Sequence, residues 1–211
     1  MKMRYDDILF DLRLFYDRDA ALRDRAPKVA WKLEERQQFL NYLLREKKHR
    51  FLEVGAGTGQ DSHFFQQRGL EVICTDLSPT MVKRCQQKGL TAYAMDFLHL
   101  DFPPASFEAI YAINCLLHVP KAAIAGVLNN IRSLLIPDGL FYLGMYGGED
   151  KEGIFHYGRQ QEGRFYSYHS TERLTELAQK YFEIVYFKSI DVGVTDRACF
   201  QSFILRKQKE A

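Results

Sequence analysis

The sequence predicts an α/β protein built on a doubly wound, mainly parallel seven-stranded sheet, preceded by N-terminal helices and closed by a C-terminal antiparallel hairpin. Three observations carry this. Apolar residues recur at helical spacing before position 48, short apolar runs alternate with amphipathic segments from Arg50 onward, and two β-rich runs follow one another near the end of the chain. Alternation of this kind packs helices on both faces of a parallel sheet and leaves the carboxyl ends of the strands open to a ligand.

In the stretch 5–48, Ile8, Leu9, Leu12 and Phe15, and later Phe39, Leu40, Leu43 and Leu44, fall on helical faces, which predicts two or three helices before any strand. From there the elements read in order as a strand at 51–54, a helix at 61–68, a strand at 71–75 and a helix at 79–87. A short strand at 91–94, a strand at 109–113, a helix at 121–135 and a strand at 140–145 continue the alternation. Residues 146–169 read as a loop, because glycines punctuate the run from Gly144 to Gly163. A helix at 171–180 then leads to strands at 182–190 and 199–206, which are expected to pair antiparallel. No repeat, linker or low-complexity tract interrupts the 211 residues. The chain therefore reads as one domain: residues 1–48 a helical cap, 49–211 the α/β core, and 146–169 the segment expected to meet a substrate.

Composition narrows the function. Hydrophobic residues at 46% and charged residues at 27% suit a packed globular core rather than a disordered or fibrous chain. With 29 Lys and Arg against 27 Asp and Glu, no large field of one sign arises, so charge does not point to nucleic acid. No apolar run reaches the roughly 18 residues that span a bilayer. The opening Met1-Lys2-Met3-Arg4-Tyr5-Asp6-Asp7 leads into charge rather than an apolar signal core, and a cytoplasmic location is expected. Cys74, Cys85, Cys115 and Cys199 are scattered and are expected to be reduced thiols. The six histidines show no paired ligand spacing, so no metal is expected.

The strongest motif is Glu53-Val54-Gly55-Ala56-Gly57-Thr58-Gly59-Gln60-Asp61, between a strand and a helix. Glycines serve where the backbone turns sharply or approaches a ligand more closely than a Cβ allows, and the following helix offers free amides. A dinucleotide fingerprint would place a third-position glycine where Gln60 stands, and Glu53 would repel a pyrophosphate while attracting an ammonium. The run Glu53-x-Gly55-x-Gly57-x-Gly59 resembles the first motif of class I S-adenosylmethionine-dependent methyltransferases. That resemblance implies a loop wrapping the methionine and ribose parts of the cofactor, formed by Gly55, Ala56, Gly57, Thr58 and Gly59 with Asp61, and an acidic residue, Glu53, near the methionine amino group.

Further segments follow the order of that family. Asp76, with Leu77 and Met81 beyond it, resembles the acidic residue that accepts hydrogen bonds from both ribose hydroxyls; as a helix cap before Pro79 it is less well placed than Ser78. Asp96 and Phe97 resemble the segment that holds adenine, unless Asp96 is an ordinary loop residue. Asn114, Cys115 and His118 resemble the fourth strand's end and the loop beyond, facing cofactor and substrate together. His118 reads either as a base for the acceptor or as a hydrogen-bonded residue holding the loop. Tyr146, His156, Arg159 and Tyr166, in an aromatic and basic stretch, either line an acceptor site or pin the segment to the sheet. Tyr16 and Trp31 are candidate contacts from the N-terminal helices, whose interleaved Arg and Asp residues read as a solvated face.

The resemblance implies S-adenosyl-L-methionine as cofactor and S-adenosyl-L-homocysteine as product. A small-molecule acceptor is expected: Asn114-Cys115-Leu116-Leu117 stands where an Asn-Pro-Pro-Tyr or Asp-Pro-Pro-Tyr tetrapeptide would mark transfer to an amide or exocyclic amine. Two alternatives remain at this level, a non-catalytic binding scaffold or sensor with the same pocket, and an NAD(P)-dependent reductase, which Gln60 and the terminal hairpin both oppose.

Overall fold

Alternate residues along the central strands face opposite ways, and that period sorts the core onto two sides of one sheet. In the computed structural model, which describes residues 4–157, 163–193 and 199–208, Phe51, Ala109, Tyr111 and Tyr142 turn to one side, and Leu52, Val54, Ile110 and Ala112 to the other. The chain opens with α1 (Tyr5–Arg25) and α2 (Ala30–Arg45), then runs β1 (Arg50–Val54), α3 (Gln60–Gln66), β2 (Glu71–Asp76), α4 (Pro79–Gln87), β3 (Thr91–Ala94) and β4 (Phe107–Ile113). A 3₁₀ turn (Leu116–His118), α5 (Ile124–Leu134) and β5 (Leu135–Gly147) follow. Next come β6 (Lys151–Phe155), β7 (Arg164–Tyr168), α6 (Thr171–Gln179), β8 (Glu183–Ile190) and β9 (Cys199–Arg206).

The seven-stranded sheet has the order β3-β2-β1-β4-β5-β9-β8. The first five strands pair in parallel, and β9 lies antiparallel between β5 and β8. Because the strand order reverses direction at β1 and β4, their carboxyl ends open a crevice, the usual ligand position of such sheets. Helix α5 covers one face through Val127, Leu128, Ile131 and Leu134. Helix α2 covers the other, where Phe39, Leu40 and Leu43 join Phe65 of α3. Burying side chains of this size contributes about 1.5–3 kcal/mol each, which fixes α2 on the sheet. Helix α1 packs elsewhere, setting Ile8 and Leu12 against Phe165 of β7.

The expected strands and helices of the core appear within a few residues of their predicted bounds. The loop expected over 146–169 is different: β6 and β7 form an antiparallel ribbon there. Its glycines masked a run of aromatic and β-forming residues, Arg164-Phe165-Tyr166-Ser167-Tyr168, in which Phe165 turns to α1 while Tyr166 and Tyr168 turn to the main core. No helix among the described residues is long and apolar enough to cross a membrane.

Candidate active site

At the end of β1 the backbone enters the left-handed region, with φ of +68° at Gly55 and +56° at Gly57. A Cβ at Gly55 would sit 2.4 Å from the Cβ of Cys115, so the close packing of the loop on the 3₁₀ turn excludes any other residue. At Gly57 a Cβ would meet nothing within 4 Å, and the strand-to-helix loop there faces open space. That space is a cavity of about 310 Å³ at the carboxyl ends of β1, β2 and β4, roofed by the connection between α1 and α2.

Most of the predicted cofactor residues meet at this cavity. Gly55, Ala56, Gly57 and Thr58 form its floor, and Glu53 and Asp61 stand beside them. Asp76, Leu77 and Met81 form one wall, Phe97 another, and Asn114, Cys115, His118 and Tyr146 the far side. Gly59 stands off the cavity as the residue before α3. Asp96 does not reach the wall either: its carboxylate accepts the amides of Leu98 (2.8 Å) and His99 (3.2 Å) and pairs with His99 Nδ1 (2.8 Å), which closes its own turn.

The charges at the cavity are unusual. Asp76 accepts the amides of Gly57 at 2.8 Å and Ser78 at 2.9 Å, yet burial pushes its carboxyl up to about 6. Ser78 caps α4, its hydroxyl accepting the Met81 amide at 3.1 Å, so the Asp76 carboxylate is not spent on that cap. Glu53 is buried and accepts the hydroxyl of Ser62. Burial first, and the charge of Asp61 second, hold Glu53 well above the usual carboxylate range. Asp61 is itself tied to Lys28 at 2.7 Å and Arg36 at 2.9 Å, so it fastens the N-terminal segment to α3.

Asn114 adds a third polar feature. It holds a left-handed φ of +54°, and its Oδ1 is buried without a hydrogen-bond partner. A strained polar residue with an unsatisfied buried oxygen costs folding free energy and is typical of a ligand clamp.

His118 is buried, and both ring nitrogens are engaged. Nδ1 lies 2.7 Å from the carbonyl oxygen of Phe165, and Nε2 lies 2.6 Å from the hydroxyl of Tyr16. A carbonyl only accepts, so Nδ1 carries the proton and, in the neutral ring, Nε2 accepts from the Tyr16 phenol. Tyr16 lines the cavity, and the guanidinium of Arg23 lies 4.8 Å from its ring centroid.

Several sequence expectations fall outside the cavity. Trp31 packs against Phe200, with ring centroids 4.5 Å apart and the rings tilted by 47°, and does not line the cavity. Tyr166 is buried, stacked on Tyr168 and tilted against His118, and pins the β6–β7 ribbon, the second of the two readings given to that stretch. His156 lies at the ribbon's end against Gly163, and Arg159 is outside the described residues. The Asp residues of α1 are not all solvated: Asp17 accepts from the Ser78 hydroxyl and the Thr80 amide, and Asp24 accepts from Lys88 at 2.6 Å. Gln60, the departure from the dinucleotide pattern, reaches the carbonyls of Arg23, Asp24 and Ala26 and so staples the end of α1 over the loop.

Roof residues such as Arg23, Pro27, Lys28 and Lys32 had no local signal, since only long-range packing brings them to the cavity. The charges of Arg23, Lys28 and Lys32 were visible in the sequence, but the destination of the segment depended on Gln60, Asp61 and Lys88.

A ligand carrying an ammonium and vicinal hydroxyls suits these residues. Two carboxyls that burial raises above the usual carboxylate range gain from donors, the orphan Asn114 oxygen accepts one, and Gly57 leaves room for close approach. No group of three or more His, Cys, Asp or Glu side chains that could hold a metal occurs among the described residues.

Residues 51–139 match the family described as "Methyltransferase domain". A demethylmenaquinone methyltransferase from Tropheryma whipplei is 34% identical over 92 residues, which covers 42% of this chain and 38% of that protein. Among solved structures, the 1,6-didemethyltoxoflavin N1-methyltransferase of Burkholderia thailandensis, with bound S-adenosylhomocysteine, superposes with a TM-score of 0.75 at 21% identity, covering 99% of this chain and 92% of that one. An N-methyltransferase from Bradyrhizobium japonicum, also with S-adenosylhomocysteine, gives 0.72 at 16% identity, over 94% of this chain and 100% of that one. At these identities the structural likeness is one of fold.

Proposed function

We propose that this protein, whose residues 51–139 match a methyltransferase domain, is a class I S-adenosylmethionine-dependent methyltransferase that moves a methyl group from S-adenosylmethionine to a small-molecule acceptor and releases S-adenosylhomocysteine. One observation carries the reading. Glu53, Asp76 and the unpartnered Oδ1 of Asn114 converge on a single cavity beside the open face of Gly57.

The bound cofactor supplies an activated methyl group and a good leaving sulfide. The chain's own work is then to bind, orient and exclude water. Glu53 receives the ammonium, Asp76 the ribose hydroxyls, and Phe97 offers an apolar surface beside the adenine; Asp96 serves by closing the turn that carries Phe97. Leu77, Met81 and Cys115 shape the remaining wall. Helix α1, held down by Asp17, Asp24 and Gln60, closes the site against solvent. Holding the partners in line supplies roughly 7–11 kcal/mol of the barrier reduction, so a strong base is not a precondition for transfer.

A cavity of about 310 Å³ roofed by helices suits a small acceptor better than a polymer. The relatives named above act, by their names, on demethylmenaquinone and 1,6-didemethyltoxoflavin. All four cysteines are free thiols, which suits a reducing cytoplasm. Incubation with methyl-tritiated S-adenosylmethionine and a cell extract freed of protein and nucleic acid should move label into the small-molecule fraction. Label transferred only after protein or nucleic acid is restored would contradict the small-molecule assignment.

A further inference from the structure

We propose that Tyr16 takes the proton of the acceptor, with His118 placed behind it to receive the phenol's own proton; the acceptor class is therefore a molecule whose nucleophilic oxygen or nitrogen carries a hydrogen. This rests on the methyl-transfer reading above. The geometry assigns the order. The Phe165 carbonyl fixes the His118 proton on Nδ1, and the Tyr16 hydroxyl closes Nε2 at 2.6 Å, so an acceptor meets the phenol rather than the imidazole nitrogen. Tyr16 lines the cavity that Asp76 and the glycine loop also line, so the residue borders the space in which transfer would occur.

The proton balance is simple. As the acceptor's lone pair forms its bond to the methyl carbon, the carbon–sulfur pair stays on sulfur, the acceptor's proton passes to Tyr16 Oη, and the phenol proton passes to His118 Nε2. His118 ends as an imidazolium whose Nδ1 still donates to Phe165, and it returns the proton to solvent after product leaves. The groups facing this pair come from every neighbouring element. They are Arg23 on α1, Asp76 on β2, Arg164 on β7, whose Nη1 lies 3.5 Å from Oη, and Tyr166, whose ring lies 4.9 Å from that of His118. Burial keeps the phenol protonated at rest, while both guanidinium groups stabilise the negative charge that builds on Oη during transfer.

Two measurements test it, the first independent of any acceptor. Two-bond proton–nitrogen correlation spectra of histidine-labelled protein should show His118 as the neutral Nδ1–H tautomer, with Tyr16→Phe raising its proton affinity about tenfold, because the donor that favours the neutral ring is lost. An Nε2–H tautomer, or a titration that ignores Tyr16→Phe, would overturn the relay. In the second, a phenol, an aliphatic alcohol and a secondary amine serve as probe acceptors. For any that is methylated, Tyr16→Phe should lower kcat about 100-fold, the low end for general acid–base catalysis, with S-adenosylhomocysteine affinity unchanged. His118→Gln should flatten the pH profile of kcat without moving KM. An unchanged kcat in Tyr16→Phe would reduce the pair to a strut between α1 and β7. Where no probe is methylated, the spectra alone decide. Failure of S-adenosylhomocysteine to bind would count against the methyl-transfer reading and leave the spectroscopic test of the pair standing.

Discussion

Asp76 shows how one residue couples cofactor binding to pH. Burial raises its carboxyl to about 6, so the folded free protein holds this proton more tightly than the unfolded chain does. Its contribution to stability is thus fully present below the ordinary value of 3.8 and is lost as pH rises through about 6. Hydroxyl donors from a ligand favour the ionised form, so binding should release a proton near pH 6, and affinity should weaken as pH falls below that point. Calorimetry in two buffers of different ionisation enthalpy measures the released proton directly; a binding heat independent of buffer would contradict the assignment. Replacing Asp76 with Ala should weaken S-adenosylmethionine binding at least tenfold, since charge-assisted hydrogen bonds contribute about 1.5–3 kcal/mol each. Unchanged affinity in a folded variant would remove Asp76 from the site.

Among the elements, the glycine loop and α1 carry the most specific consequences. Gly55 combines a left-handed backbone with a neighbour that leaves no space for a Cβ. Gly55→Ala should therefore lose about 1–3 kcal/mol from backbone strain alone, visible as a lowered melting temperature, together with loss of cofactor binding. A variant as stable as the parent would mean that the loop relaxes freely. Asp17 ties α1 to the first turn of α4, and Asp17→Ala removes a cap of the kind worth about 1 kcal/mol. The expected result is faster amide exchange in α1 with β1 and β4 unaffected. Exchange that stays slow in α1 would show that Ile8 and Leu12 hold the helix without help.

At the scale of the whole molecule, what was legible in the sequence followed physical locality. Strand and helix periods, the Ser78 cap before Pro79, and the glycine loop are written within a few neighbouring residues, and they reappear in place. The β6–β7 ribbon was hidden because glycines interrupt its alternation and its stability comes from Tyr166 and Tyr168 packing on a distant core. The roof of the cavity was hidden for the same reason, since Gln60 reaches back 36 residues to Asp24 and Asp61 reaches back 33 residues to Lys28. Asp96 closes its own turn, and in sequence such a carboxylate looks the same as one that holds a ligand.

The central claim is that the crevice over β1, β2 and β4 receives S-adenosylmethionine. Calorimetric titration of the purified protein with S-adenosylmethionine and S-adenosylhomocysteine, with a nicotinamide dinucleotide as control, tests it most directly. Saturable one-to-one binding of the first two, lost in Asp76→Ala and absent for the dinucleotide, is the result expected. Binding of the dinucleotide instead, or of none of the three by a folded protein, would contradict it.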